Sequence, residues 1–313
     1  MSWLKTQLQE FTAAWNRFWF DSVTDSTLSS LGLFRISFGS VMFVFYLTRI
    51  PDLAFFYGDD GIMPLSHLNS LEFIAWHPTV FTWLTGITAI HVAHAVFCCA
   101  LLTLALGLFT RVSAITVYFL HLMFLNRNMS VMFGVDTIGT FYFLYLCFAN
   151  SGARYSLDAK WRKKANTRQG PFSHIAWRLM QLQVCVIYAY SGLEKLKGTR
   201  WWDGSALWDV LSIGNMQRWD LSFVAHFPIL LAGAVYLLLL WELYFSALVW
   251  VPRLRLPMLA FGVFLHIGIF LFMNLPSFGF MMISMYLLFL KGEEVEAALA
   301  SLFRRLNFER IPG

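Results

Sequence analysis

Charge is what this 313-residue chain has least of: Asp, Glu, Lys and Arg together make up 13%, about half the share of an ordinary soluble domain. A soluble molecule of this length needs far more charge to cover its surface, so that class is excluded. Cysteine is sparse too. Cys98, Cys99, Cys147 and Cys185 all lie in apolar runs, without a CxxC pair or metal-type spacing. They read as packed thiols and leave the redox compartment open. The amino terminus lacks the basic start, long apolar run and small-residue cleavage site of a signal peptide. The basic residues sit in a few short hydrophilic stretches, a pattern that speaks of membrane topology and excludes nucleic acid as the partner.

Apolar residues fill the space that charge leaves. They reach 58% of the chain, against roughly 45–50% in soluble domains. Phe contributes 32 residues and Trp 13, a density suited to helices whose faces meet lipid and whose ends sit at its interface. A hydrocarbon core about 30 Å thick requires roughly 20 apolar residues per helix. Eight segments qualify or nearly so: 31–50, 79–107, 112–126, 131–150, 176–197, 228–251, 258–274 and 277–291. The third, seventh and eighth are short, and Asn274-Leu275-Pro276-Ser277 marks a turn between the last two. The expected fold is an all-α, polytopic integral membrane helical bundle of about eight transmembrane helices, with membrane lipid as its surroundings.

Basic residues orient it. With the amino terminus inside, the inner segments hold fifteen Lys and Arg, six of them between Arg154 and Arg168. The outer segments hold four: Arg127, Lys197, Arg200 and Arg218. The 51–78 loop has Asp52, Asp59, Asp60 and Glu72 but no Lys or Arg. This positive-inside bias predicts a multi-pass membrane protein with cytoplasmic termini, and the bacterial inner or plasma membrane is its expected location. Three regions follow: an amphipathic interfacial segment over 1–27, with Trp3, Phe11, Trp15 and Phe18 at roughly helical spacing; a transmembrane domain over 28–291; and an amphipathic cytoplasmic helix over 292–313. The aromatic-rich outer loops 51–78 and 198–227 are expected to fold into short interfacial helices.

Ionisable groups inside a bilayer are costly, so each is a candidate functional group. Lys195 ends the fifth apolar segment, in Ser191-Gly192-Leu193-Glu194-Lys195-Leu196-Lys197. Desolvated there, its free amine would be available as a base; the plain alternative is a lysine that snorkels to water. Glu194 points about 100° away from Lys195, which leaves Lys197 as its expected local partner. Arg35, Asp136 and Glu242 are half-buried charges on different helices, expected to pair between helices. Asp136 and Arg35 fall towards opposite ends of their segments, so Arg35 is expected to pair elsewhere. His91 and His94 share a helix face, but without a third ligand they read as packing or hydrogen-bonding groups, and no metal is predicted. His121 and His266 stand alone in apolar runs, and Gln181 and Gln183 read as glue between helices.

Several short patterns occur in a telling order. They are Phe56-Tyr57-x-Asp59-Asp60-Gly61, Leu106-Gly107-Leu108-Phe109-Thr110-Arg111, Asn126-Arg127-Asn128, Ser156-Leu157-Asp158, Gly192-Leu193-Glu194-Lys195-Leu196 with Trp202-x-Gly204, and Phe264-Leu265-His266. Together, over roughly residues 28–291, they resemble the membrane domain of vitamin-K-dependent gamma-carboxylases and their bacterial branch, the horizontally transferred transmembrane (HTTM) domain family. In the carboxylases, the lysine matching Lys195 is the base that deprotonates vitamin K hydroquinone, whose oxygenation then supplies a stronger base for the γ-proton of glutamate. The resemblance therefore implies a quinone or quinol cofactor near the outer face, Lys195 as the catalytic base, and Asn128, Asp136 and His266 as groups of the ligand pocket.

Two departures restrict the transfer. Met129 stands where the family has His, and a thioether neither shuttles a proton nor donates a hydrogen bond. The carboxylases also carry a large soluble portion after their helices, with no counterpart expected here. Glutamate carboxylation by this chain alone is therefore not expected. Membrane redox or modification chemistry with partner proteins, acting in maturation of a secreted peptide, is the leading expectation, since the HTTM family includes a membrane component needed to mature a secreted peptide toxin. The competing reading is a non-catalytic membrane scaffold or chaperone. A transporter would call for broken helices and inverted repeats, neither of which the sequence displays.

Overall fold

In a computed structural model, which describes residues 2–21, 24–70, 77–161, 171–214 and 216–308, the described residues are predominantly helical. Among the described residues four helices are long and apolar enough to cross a membrane: Ser26–Leu47, Ile87–Leu106, Pro228–Leu248 and Pro252–Phe272, with shorter apolar helices at Gly134–Phe148 and Pro276–Phe289. Each of the eight apolar segments carries a helix. Those outside this set are shorter or interrupted by polar groups such as Arg178, Gln181 and Glu194. The basic cluster Arg162, Lys163, Lys164 and Arg168, together with Glu72, Trp76 and Arg310, lies outside the described residues.

The helices form two compact units, Met1–Arg178 with Leu290–Gly313, and Leu179–Phe289. The first contains α1 (Ser2–Phe20), α2 (Asp25–Leu47), α3 (Leu53–Tyr57), α4 (Leu65–Ser70), α5 (Ile87–Leu106), α6 (Thr110–Arg127), α7 (Gly134–Phe148) and α8 (Leu157–Trp161). The chain changes unit within α9 (Pro171–Lys195). The second unit continues with α10 (Thr199–Trp202), α11 (Ala206–Leu211), α12 (Pro228–Leu248), α13 (Pro252–Phe272) and α14 (Pro276–Tyr286), before α15 (Gly292–Phe308) returns to the first. The two loops expected to hold short helices do so, in α3 and α4 and in α10 and α11. α5 starts at Ile87, well after the apolar run begins, because Thr79 caps a separate 3-10 turn and Gly86 adopts φ 86°.

In the first unit a buried arginine closes the helix ends. Arg35 of α2 is fully buried and donates to four carbonyls: Leu104 and Ala105 at 2.7 Å, Ser151 at 3.1 Å and Tyr155 at 2.6 Å. Leu104 and Ala105 belong to the last turn of α5, where carbonyls lack helical partners. Gly107 follows at φ 70°, and a Cβ there would lie 2.6 Å from the Arg35 guanidinium. Glycine is therefore required both for the left-handed cap and for the space. On the other side of this turn, Asp158 accepts from the Phe109 and Thr110 amides at 2.9 and 2.8 Å and from the Thr110 hydroxyl at 2.7 Å. A carboxylate at the amino end of α6 satisfies its orphan donors and complements its dipole.

Two further contacts complete this unit. At the start of α2, the Ser26 hydroxyl accepts from the Gly292 amide at 2.7 Å, and the Ser29 hydroxyl donates to Glu296 at 2.7 Å, tying α15 to α2. At the end of α1, the Phe18 carbonyl accepts from His174 Nε2 at 2.9 Å and from Arg178 Nε at 3.0 Å.

Arg35→Ala leaves four buried carbonyls without their donor. We expect it to cost about 3 kcal/mol of stability, read as a lowered unfolding temperature in detergent, while Arg35→Lys recovers part of the loss because an ammonium has only three donors.

Candidate functional site

Lys195 is the last residue of α9, and its side chain turns inward rather than out to lipid. Its ammonium donates to Glu242 Oε2 at 2.6 Å and Oε1 at 2.9 Å, and to the Ser191 hydroxyl at 2.5 Å. The Lys195 side chain is 19% exposed and that of Glu242 7%. Trp201 lies with its ring centroid 5.2 Å from the amine, within cation–π range. Ser191 and Lys195 share a face of α9 because they are one turn apart. α12 comes close enough to present Glu242 because Gly192 leaves room: a Cβ there would sit 3.0 Å from Leu243.

The chemistry follows from counting donors. A lysine ammonium has three N–H groups, and all three are engaged, so the arrangement is that of a charged ion pair. Moving one proton from Lys195 to Glu242 converts the pair into a neutral amine and a neutral carboxylic acid. In that form the amine has a lone pair to offer. Such a transfer would leave the overall charge of the pair unchanged.

A second constellation lies one turn further along the same face of α9. The Tyr188 hydroxyl meets His266 Nε2 at 2.7 Å and also hydrogen-bonds the Tyr286 hydroxyl. Trp241 and Phe245 pack on the Tyr188 ring with centroids 4.7 and 4.6 Å away. All three polar residues are buried, and His266 Nδ1 has no hydrogen-bond partner among the described residues. In the 198–227 loop of this unit, a cavity of about 250 Å³ is lined by Asp203, Ser205, Trp208, Pro228 and Leu231 among others. The Ser205 hydroxyl and amide hold the Asp203 carboxyl below its ordinary range.

Asn128 and Asp136 belong to the first unit. The Asp136 carboxylate is fully buried; Oδ2 accepts from Arg49 Nη2 at 2.8 Å and from the Phe133 amide at 3.2 Å, and Oδ1 from the Tyr46 hydroxyl at 3.1 Å. That hydroxyl also meets His121 Nδ1 at 2.9 Å, while His121 Nε2 donates to the Asp136 carbonyl at 3.1 Å. Arg49 donates its other terminal nitrogen to Tyr57 at 3.0 Å. Asn128 donates to the Phe56 carbonyl at 2.6 Å and accepts from the Ser130 amide at 3.0 Å. Its neighbours Arg127 and Asn126 donate to Gly58, Met63 and Pro78 carbonyls. Asp59 in turn accepts from the Gly86 amide at 2.8 Å. Arg127 and Asn128 thus hold the Phe56–Gly61 loop by its backbone, and Asn126 holds the chain at Pro78. Met129 is 40% exposed.

Sequence spacing identifies Lys195 but not its counterion, and Asp136 but not Arg49. Glu242 comes from another helix and Arg49 from the turn after α2, and neither Ser191, Tyr188 nor Tyr286 stands out in its apolar or polar surroundings. Glu194 pairs with Lys197 at 2.6 Å, as expected. His91 bonds its own helix at the Ile87 carbonyl, and His94 lies 3.7 Å from Cys98 Sγ. Among the described residues no cluster of three His, Cys, Asp or Glu is placed to hold a metal ion.

Long apolar helices whose buried charges are answered by other helices define a multi-pass helical membrane protein. The family model described as HTTM domain matches residues 24–293, and the chain belongs to the HTTM domain family. No curated protein and no solved structure matches it.

Lys195→Ala strands the Glu242 carboxylate in a nearly dry site. We expect a loss of about 3 kcal/mol, most of it regained in the double variant Lys195→Met/Glu242→Leu, which removes both charges. Denaturant or thermal unfolding of the three proteins in detergent measures the difference.

Proposed function

We propose that this HTTM protein binds a quinol, or a similar lipid-soluble molecule with an acidic hydroxyl, near the outer face of the membrane, and that Lys195 takes up its proton. The observation that carries this reading is the position of the Lys195 amine: drawn inward, 2.6 Å from Glu242, beside an aromatic ring and a serine hydroxyl. A lysine on the lipid-facing rim would have no such company. Proton uptake requires the neutral amine, and Glu242 supplies it by accepting the proton that Lys195 gives up. A base poised this way works best in a site from which water is excluded. His266, with one ring nitrogen unengaged, is the further pocket group in the same unit, and Asn128 and Asp136 support the neighbouring loop and helix in theirs. Acting with partner proteins, such a site serves modification of a secreted peptide. The exposure of Met129 and its absence from the Asn128 hydrogen bonds fit a chemistry other than glutamate carboxylation.

One feature favours the second reading, a membrane scaffold or chaperone: every Lys195 donor is already satisfied inside the protein, as a purely structural ion pair would require.

Ligand-dependent thermal stabilisation separates the two. A quinol that binds only the folded state at about 100 times its Kd adds about 2.7 kcal/mol. We expect wild type to show this gain and Lys195→Ala, Lys195→Arg and Glu242→Gln to lose it, each measured against its own ligand-free baseline. No gain with any quinone or quinol, or a gain indifferent to these substitutions, would leave the scaffold.

A further inference from the structure

The amino-terminal helix carries an apolar stripe that, ahead of Phe18, is largely exposed among the described residues. Taking 100° per residue, Trp3, Leu4, Leu8, Phe11 and Trp15 of α1 fall within an arc of about 140°, which also takes in Gln7, while Lys5, Gln9 and Asn16 occupy the opposite side and Glu10 and Arg17 lie along the Trp3 edge. The five apolar residues are 52–70% exposed. Five large side chains on one stripe are not the scattered single exposures common on protein surfaces.

What covers this face follows from how α1 is held. Its last turn is fastened at the Phe18 carbonyl by His174 and Arg178, and the Arg178 guanidinium sits over the Phe18 and Trp177 rings at 4.6 and 4.4 Å. Only five Cα steps then separate Phe20 from Asp25, where α2 begins, a reach of at most about 17 Å. α2 contains a membrane span starting at Ser26. The carboxyl end of α1 is therefore tethered beside the bilayer surface that α2 enters, and its first turn carries Trp3 and Leu4. The helix has Lys5 and Arg17 against Glu10, too little net charge for attraction to anionic headgroups to carry the attachment. The apolar stripe itself must do so.

We propose that α1 is an in-plane lipid anchor: its Trp3, Leu4, Leu8, Phe11 and Trp15 face is seated in the headgroup and upper acyl region of the leaflet that α2 enters, with the helix pinned to the protein at Phe18. Trp at such a boundary places an apolar ring in lipid and its N–H at the wet edge. A helix of this kind buries its apolar face roughly 5–10 Å into the interface. The site proposed around Lys195 plays no part in this inference.

The test uses the full chain in nanodiscs of uncharged phosphatidylcholine, with the native cysteines replaced and single spin labels at positions 4, 8, 11 or 15, and at 5, 9 or 16. Collision with dissolved oxygen, which concentrates in lipid, is compared with collision with a water-soluble nickel chelate. The expected result is a helical alternation, with labels at 4, 8, 11 and 15 favouring oxygen by about tenfold over those at 5, 9 and 16. Labels equally open to the nickel chelate on both faces would overturn the proposal, since the stripe would then be in water. Labels at 4, 8, 11 and 15 shielded from both reagents would overturn it as well, since another protein surface would then cover the stripe. If labelling the apolar face disturbs seating, the labels at 5, 9 and 16 still decide: in a seated helix their oxygen collisions fall with distance from the bilayer, and in a free helix they equal those of a label in solution.

Discussion

Charge without water is expensive, and the way each buried charge finds an answer organises this molecule. A carboxylate or guanidinium removed from water costs several kcal/mol unless partners replace its hydration. Arg35 meets four backbone carbonyls, Arg49 meets Asp136 and Tyr57, and Lys195 meets Glu242 and Ser191. None of these partners is a sequence neighbour in a conventional sense, except Ser191 one turn away. Each interaction therefore fixes the relation of elements within its own unit, and the helices between them need only be apolar.

The same accounting gives the Lys195–Glu242 pair its chemical interest. The contacts of Arg35 and Arg49 cannot neutralise, because a guanidinium keeps its proton in proteins. A lysine can release its proton to an adjoining carboxylate, and the proposed function gives the Lys195 pair two states of equal overall charge, one ionic and one neutral. The neutral state presents a base where the ionic state presents none. A ligand that donates a proton to the amine and leaves an oxyanion beside the resulting ammonium exploits that difference, whereas a scaffold has no use for it. Stability and chemistry thus compete for the same three hydrogen bonds.

Much of the architecture was legible in the residues. Low charge, long apolar runs and loop aromatics specify helices in a membrane, and Pro, Gly and Asn-rich breaks locate most of their ends. Four of the six short patterns that carry the family resemblance are each other's partners: Gly107 to Thr110 meets Ser156 to Asp158, and Asn126 to Asn128 meets Phe56 to Gly61. The candidate site was half legible. Lys195 announces itself as a cation at the end of an apolar helix, and Glu242 as a half-buried charge expected to pair between helices, but only folding matches the two, at 2.6 Å. Arg49 escaped attention because it follows its helix, where a basic residue needs no explanation. Tyr188 and Tyr286 look like ordinary aromatics until His266 stands between their helices.

The central claim is that the Lys195–Glu242 pair exchanges a proton in service of a bound hydroxyl-bearing ligand. Infrared difference spectroscopy on isotope-labelled protein in lipid, recorded as a quinol is added, tests it most directly. The account predicts that quinol binding alters the balance between the Glu242 carboxylate bands and the carbonyl band of its protonated form, with the change abolished in Glu242→Gln and in Lys195→Ala. Saturating quinol that leaves the Glu242 bands unmoved, or a spectral change that survives both substitutions, would contradict it.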